Sequence, residues 1–163
     1  MDARARCVRT GVRLAVDLGS ARVGVARCDP SGLLASPLAT LTRGRGDVDA
    51  LAALVAAHNP IEVIVGLPTG LSGRAGAAAE AARAFAQSLA TRLAPVPVRL
   101  VDERFTTVIA HEALRQGGRG SRERRSAVDK AAAALILQGA LDTERSTGVP
   151  AGELVGSAPG AGG

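Results

Sequence analysis

Several carboxylates of this sequence could act together although they lie far apart in the chain. Asp17 follows alternating apolar residues over 12–16, a pattern that predicts a strand. Asp102 and Glu103 follow another predicted strand, and Asp129 opens a predicted helix. Three carboxylates within a few ångströms would repel one another without a cation between them. Their oxygens favour Mg²⁺ or Mn²⁺, and two such ions about 4 Å apart could activate a water and cleave a phosphodiester.

Each of these acids also has an ordinary structural interpretation. Asp17 could begin a β-turn, as aspartate often does. Asp129 follows Ser126 at the spacing of a helix capping box. Glu103 could form a surface ion pair with Arg104 that contributes at most about 1 kcal/mol. Only their joint placement at one edge of a sheet indicates a site.

The elements that would bring the acids together follow from the periodicity of the chain. Strands are predicted over 12–17, 23–28, 33–41, 61–65 and 96–101. Helices are predicted over 47–59, 74–93, 106–116 and 126–141. The order βββαβαβαα implies an α/β fold, a five-stranded mixed sheet flanked by helices. Right-handed crossovers would make the strands that follow helices parallel to the first strand, so that Asp17 and Asp102 or Glu103 emerge at one edge.

Length and composition set the class of protein. The chain has 163 residues, which suits one domain, and 47% hydrophobic residues exclude a wholly disordered chain. No apolar run approaches the roughly 18 residues that span a bilayer, and two cysteines cannot form a disulfide framework, so we expect a cytoplasmic protein. We predict a disordered basic tail over 1–11, a folded domain over 12–144 and a disordered Gly/Pro-rich tail over 145–163.

Other signatures exclude some chemistries and leave one open. The two cysteines and two histidines lack the spacing of zinc ligands, and neither histidine lies near the predicted carboxylates, so a Ser-His-Asp mechanism finds no support. The glycine-rich segment 66–73 lacks the Gly-Lys-Ser/Thr ending of a nucleotide-binding loop. It is either a loop over a nucleic-acid backbone or a plain connection. The net charge of +5 permits a polyanionic partner.

A cluster of arginines is the second candidate functional feature. Its members are Arg115, Arg119, Arg122, Arg124 and Arg125. We predict that they follow a nucleic-acid backbone, and the alternative is a solvated polar stretch.

Four blocks of sequence resemble the YqgF family of nucleases, also called RuvX, which has the RNase H-like fold. They fall in order over 17–26, 65–68, 102–107 and 129–142. The first block, Asp-Leu-Gly-Ser-Ala-Arg-Val-Gly-Val-Ala, is shared with actin-like sugar kinases. The Asp-Glu-Arg-Phe-Thr-Thr block at 102 and the Asp…Ile-Leu-Gln block at 129 are specific to the family.

The resemblance implies a metal-dependent nuclease that processes the 5′ end of precursor 16S ribosomal RNA. Asp17, Glu103 and Asp129 match the family's acidic positions, and Glu103 is chosen over Asp102 on that pattern. In related resolvases the middle carboxylate follows the fourth strand, where this chain has Val65-Gly66 and no acid. Arg22 and Arg104 match basic positions that are expected to contact phosphate.

Three other functions compete with this interpretation. A resolvase of four-way Holliday junction DNA would use the same carboxylates. An ATP-binding kinase would need two lobes, which 163 residues cannot supply. A non-catalytic RNA-binding or transcription-associated factor would also explain the arginine cluster. The expected partner is therefore precursor rRNA or a ribosomal precursor particle, or else branched DNA, with no membrane; a homodimer is left open.

Overall fold

The structure is a computed structural model that describes residues 8–68, 75–103 and 121–156, with residue 75 and residues 121–126 described by their backbone alone. The strands in these ranges are β1 (Arg13–Leu18), β2 (Arg22–Cys28), β3 (Ala35–Thr42), β4 (Glu62–Leu67), β5 (Val98–Asp102) and β6 (Glu153–Val155). The helices are α1 (Asp47–His58), α2 (Ala75–Leu93) and α3 (Ser121–Thr147). The helix predicted over 106–116 lies outside the described residues.

All six strands belong to one mixed sheet with the order β3-β2-β1-β4-β5-β6. The first three strands form an antiparallel meander, and β4 and β5 continue the sheet parallel to β1. This confirms the predicted α/β class and the parallel course of the helix-linked strands. The predicted strand number of five is wrong for the described residues, because β6 adds antiparallel to β5.

Strand β6 lies in the segment that we expected to be disordered. Over 145–156 that prediction is wrong, since α3 continues to Thr147 and the chain then turns back to the sheet. Gly148 and Gly152 both have φ of 77°, a left-handed backbone that glycine adopts without strain. A Cβ on Gly152 would collide with the carbonyl oxygen of Leu100, so this position needs glycine. The glycines that indicated disorder instead form the reversal.

The predicted N-terminal tail is also partly ordered. The backbone N–H of Arg9 donates to Glu144 at 2.7 Å, and that of Gly11 donates to the carbonyl of Pro30 at 2.7 Å. Residues 8–11 are therefore part of the domain, and the predicted boundary at residue 12 is wrong. Residues 1–7 and 157–163 lie outside the described residues.

Helices cover both faces of the sheet. Leu14, Val16 and their neighbours at alternate positions pack with α1 and α2 in one buried cluster. Ala15, at the intervening position, packs with α3 in a second cluster. Because side chains alternate along a strand, Asp17 shares with Ala15 the face that α3 covers. No helix in the described ranges is long and apolar enough to cross a membrane.

A group of buried ion pairs lies at the amino end of β1, on the α3 face. It consists of Arg9, Arg13, Glu62, Arg99 and Glu144, and we call it the basal cluster. The Arg13 side chain is fully buried, with its guanidinium 3.0 Å from Glu144 at the far end of α3. Arg9 reaches both glutamates, and Arg99 pairs with Glu62 at 3.2 Å. The cluster therefore joins the N-terminal segment, the sheet and the end of α3.

Candidate functional site

Asp17 lies near the carboxyl end of β1, where it is paired with Gly24 of β2. Opposed residues of an antiparallel pair point to the same face, so the half-buried Asp17 and the Cα of Gly24 both face α3. The alternative in which Asp17 begins a β-turn does not hold, because the residue is inside the strand.

Glycines flank Asp17 on both neighbouring strands. A Cβ on Gly24 would overlap the backbone carbonyl oxygen of Asp129, so α3 here approaches β2 backbone to backbone. On β4, a Cβ on Gly66 would lie 2.5 Å from Oε2 of Glu103 and 2.7 Å from the tip of Ile136. Each glycine thus allows a neighbouring group to lie against the strand at the place that a side chain would take. Glycine inside a strand is a known sign of close backbone approach, so these two positions carry a sequence signal that could have marked this part of the sheet.

Glu103, rather than Asp102, shares the face of Asp17. The backbone N–H of Glu103 donates to the carbonyl of Leu67 at 3.2 Å, which places the residue directly after β5. Its carboxylate covers Gly66 on the α3 face. Asp102 is exposed and pairs with Leu67 on β4, and by the strand alternation it points to the opposite face.

Asp129 reaches the site from inside α3. The helix begins at Ser121, about two turns earlier, so Asp129 neither opens the helix nor belongs to a capping box with Ser126, and both expectations are wrong. The Asp129 carboxylate accepts a hydrogen bond from Nε of Arg22 at 2.7 Å. Arg22 stands at the start of β2, two residues before Gly24 and therefore on the same face.

The site as it stands is not assembled around a cation position. Within residues 8–68, 75–103 and 121–156, no three Asp, Glu, His or Cys side chains lie close enough together to hold a metal ion. On this face the Asp129 carboxylate is instead paired with the guanidinium of Arg22, which compensates its charge. The donors themselves are all carboxylate oxygens, the set that suits Mg²⁺ or Mn²⁺ and not zinc.

Most of the predicted basic residues cannot be placed against this site. Arg104, Arg115 and Arg119 lie outside the described residues. Arg122, Arg124 and Arg125 stand on the first turns of α3, where the structure describes the backbone alone. Residues 69–74 of the glycine-rich segment also lie outside the described residues. The pairing of Arg22 with Asp129 was missed, because residues 107 positions apart in the chain give no local signal.

The two glycines give a test of how closely α3 packs on the site. Gly24→Ala should lower the free energy of unfolding by about 3 kcal/mol, since the new Cβ meets the carbonyl of Asp129, which cannot yield without shifting the helix. Gly66→Ala should cost about 1 kcal/mol, because the side-chain ends of Glu103 and Ile136 can rotate away.

Urea unfolding of these variants would measure both effects, with Gly76→Ala as the control. Gly76 lies in α2 with nothing within 4 Å of its added Cβ, and glycine to alanine in a helix should stabilise by up to about 1 kcal/mol. Equal stability of Gly24→Ala and Gly76→Ala would contradict the close approach of α3 to β2.

The antiparallel meander and the two parallel strands beside it, with helices on both faces, define a mixed α/β protein. The sequence model of the RuvX family, described as Holliday junction resolvase, matches residues 11–143. The chain therefore belongs to the RuvX family.

Several relatives are similar over nearly their whole length. A protein of Thermobifida fusca named "Putative pre-16S rRNA nuclease" is 61% identical, with 93% of this chain and 100% of the relative covered. A protein of Streptomyces coelicolor with the same name is 56% identical, with 91% and 90% covered. Among solved structures, Thermus thermophilus RuvC in complex with Holliday junction substrate is similar with a TM-score of 0.45 at 18% identity, covering 86% of this chain and 99% of that one.

Proposed function

We propose that this chain is a metal-dependent nuclease that processes the 5′ end of precursor 16S rRNA in the cytoplasm. The observation that supports the proposal is that Asp17 and Glu103, at the carboxyl ends of β1 and β5, lie on the sheet face covered by α3, the helix that carries Asp129. Membership of the RuvX family and the names of relatives at 50–61% identity agree with it.

The donor set fits Mg²⁺ or Mn²⁺, and Asp17, Glu103 and Asp129 would hold the ions. When bound, a pair of such ions would supply an activated water and stabilise the charge that develops on the leaving oxygen. Asp17 lies on β1, which is hydrogen-bonded to β2 on one side and to β4 on the other. Glu103 follows β5, and its backbone N–H donates a hydrogen bond to β4. These attachments would limit the movement of both carboxylates and keep them oriented for the reaction.

The basic residues would bind the substrate backbone. Arg22 lies on the rim of the site, and its planar guanidinium suits bidentate contact with a phosphate. This contact would be extended along the RNA backbone by Arg104 and by the arginines from Arg115 to Arg125. Binding through several phosphates predicts an affinity that falls steeply with salt.

A cleavage assay on end-labelled precursor 16S rRNA, with Mg²⁺, Mn²⁺ or EDTA, tests the proposal. We expect cleavage with either cation and none in EDTA. The same RNA within a ribosomal precursor particle belongs in the experiment, because a requirement for that particle would be missed on naked RNA. If neither the naked RNA nor the particle is cleaved with either cation, the assignment is overturned.

A second candidate substrate is a four-way DNA junction, which the description of the family model favours. The carboxylates do not distinguish the sugar of the substrate, so competition between labelled precursor rRNA and a labelled junction would decide. Tight binding of RNA with no cleavage in either cation would instead support a non-catalytic RNA-binding factor.

A further inference from the structure

Asp129, the third carboxylate of the proposed site, forms an ion pair with Arg22. Nε of Arg22 lies 2.7 Å from Oδ2 of Asp129, and the two side chains are only 32% and 21% exposed. Both residues are held by their backbones. The N–H of Gly19 donates to the carbonyl of Arg22 at 2.8 Å, and α3 meets β2 backbone to backbone at Gly24. The pair therefore joins two side chains whose backbones are both held in place, on β2 and on α3.

We propose that Arg22 is a positioning residue: it pairs with Asp129 while the site lacks a divalent cation, and it releases the carboxylate when a cation binds there. This inference rests on the proposed function. A guanidinium and a divalent cation on the same carboxylate repel each other, so each weakens the binding of the other. By linkage, the free energy that Arg22 gains from Asp129 in the free protein is subtracted from the affinity of the site for the cation.

This exchange, in which a cation replaces Arg22 at the Asp129 carboxylate, gives Arg22 a second role. Once it leaves Asp129, the guanidinium still lies on the α3 face near Asp17, because its position at the start of β2 is fixed by the hairpin. A free guanidinium on this rim would then bind a substrate phosphate through two parallel hydrogen bonds. Cation binding would thus prepare the site for phosphate, and Arg22 would bind RNA only in the cation-loaded protein.

The first test measures binding of Mn²⁺ to the full chain without substrate, by the electron paramagnetic resonance signal of free Mn²⁺. Arg22→Gln should bind Mn²⁺ about five- to tenfold more tightly than the original protein, since the competing cation is gone. Its thermal midpoint without metal should fall, and the rise in midpoint on adding Mn²⁺ should be larger. Arg22→Lys, which keeps a positive charge without the planar fork, should bind about two- to threefold more tightly and carries the test if Arg22→Gln does not fold.

Arg92→Gln is the matched control. Arg92 also pairs with an aspartate through Nε, at 3.3 Å from Asp49, but both residues are exposed and lie on α2 and α1 over the opposite face of the sheet. Its loss should leave Mn²⁺ affinity unchanged.

The second test measures binding of precursor RNA that carries phosphorothioate linkages to resist cleavage. In EDTA, Arg22→Gln and the original protein should bind it equally. With Mn²⁺ present, Arg22→Gln should bind it about fivefold more weakly, because only the loaded protein presents a free guanidinium. Equal binding in Mn²⁺ would overturn the second role.

Two results separate the failure of this inference from failure of the proposed function. Weaker Mn²⁺ binding by Arg22→Gln in a folded protein would show that Arg22 helps Asp129 to hold the cation, and would overturn the exchange while leaving the nuclease proposal intact. Absence of Mn²⁺ binding in every variant, together with cleavage that continues in EDTA, would overturn the metal site and the exchange with it.

Discussion

Asp17→Asn should abolish cleavage while leaving the protein folded and able to bind RNA. A metal ion stabilises the charge of the transition state by several kcal/mol, and Asp17 is the proposed ligand at the centre of the sheet. Loss of about 4 kcal/mol of that stabilisation lowers the rate about a thousandfold. The substitution keeps the size of the side chain, so the unfolding midpoint in urea should change little. Single-turnover cleavage of labelled precursor rRNA measures the rate.

Asp102 and Glu103 provide a matched pair of controls for that experiment. Glu103→Gln should reduce cleavage to a similar extent, because its carboxylate covers Gly66 on the face of Asp17. Asp102→Asn should retain nearly full activity, since Asp102 is exposed and points away from that face. Cleavage at the original rate by Asp17→Asn would end the assignment of the metal site. Loss of activity in Asp102→Asn but not in Glu103→Gln would exchange the roles of the two acids.

The central elements of the fold could be predicted because each has a local signal. Alternating apolar residues mark β1 and β2, and the 12-residue helix α1 ends at His58, directly before the Asn59-Pro60 pair that predicted its end. Strand β6 has three residues and follows two glycines, so its stability comes from pairing with β5 and not from its own sequence. Composition could not reveal it, because the partner strand lies about fifty residues earlier in the chain.

The candidate site could be predicted in part, through topology. Parallel strands bring Asp17 and the acids after β5 to one edge, which is a property of the strand order and not of any one residue. Alternation along β5 could not choose between Asp102 and Glu103 until the register was known. The structure also gives a reason for the missing acid on β4: Gly66 leaves the space that the carboxylate of Glu103 fills from the neighbouring strand.

The basic residues near the N-terminus show where sequence patterns fail. Arg9 and Arg13 were expected in or beside a mobile basic tail, but both pair with Glu144, which is 131 to 135 positions away. A run of charges indicates a solvated segment only when no distant partner exists, and a local pattern contains no information about one. The basal cluster is therefore visible only in the folded chain.

Glu144→Gln should lower the free energy of unfolding by about 3 to 5 kcal/mol at pH 7, the cost of removing one partner of a buried ion pair. Glu144 is only 3% exposed and faces two guanidinium groups, and Arg13 is fully buried beside it. A domain is stable by about 5 to 15 kcal/mol, so the change is a large fraction of the total. Asp142→Asn is the control on the same helix: its pair with Arg145 is exposed, and its loss should cost less than about 1 kcal/mol.

The pH dependence of stability identifies the charge of Glu144 as the cause. Burial alone would raise the pKa of Glu144, but hydrogen bonds from Arg9 and the charges of Arg13 and Arg9 outweigh it and hold the pKa below the ordinary 4.5. A lowered pKa in the folded state means that the pair stabilises fully above about pH 4.5 and that this contribution is lost as pH falls through the folded pKa. Urea unfolding from pH 7 to pH 3 should therefore show a shallower loss of stability for Glu144→Gln than for the original protein. If Glu144→Gln matches Asp142→Asn in stability and keeps the pH slope of the original protein, the role of the basal cluster is contradicted.

Cleavage by Glu144→Gln, measured at a urea concentration well below its unfolding midpoint, should be unaffected. The basal cluster lies at the opposite end of β1 from Asp17.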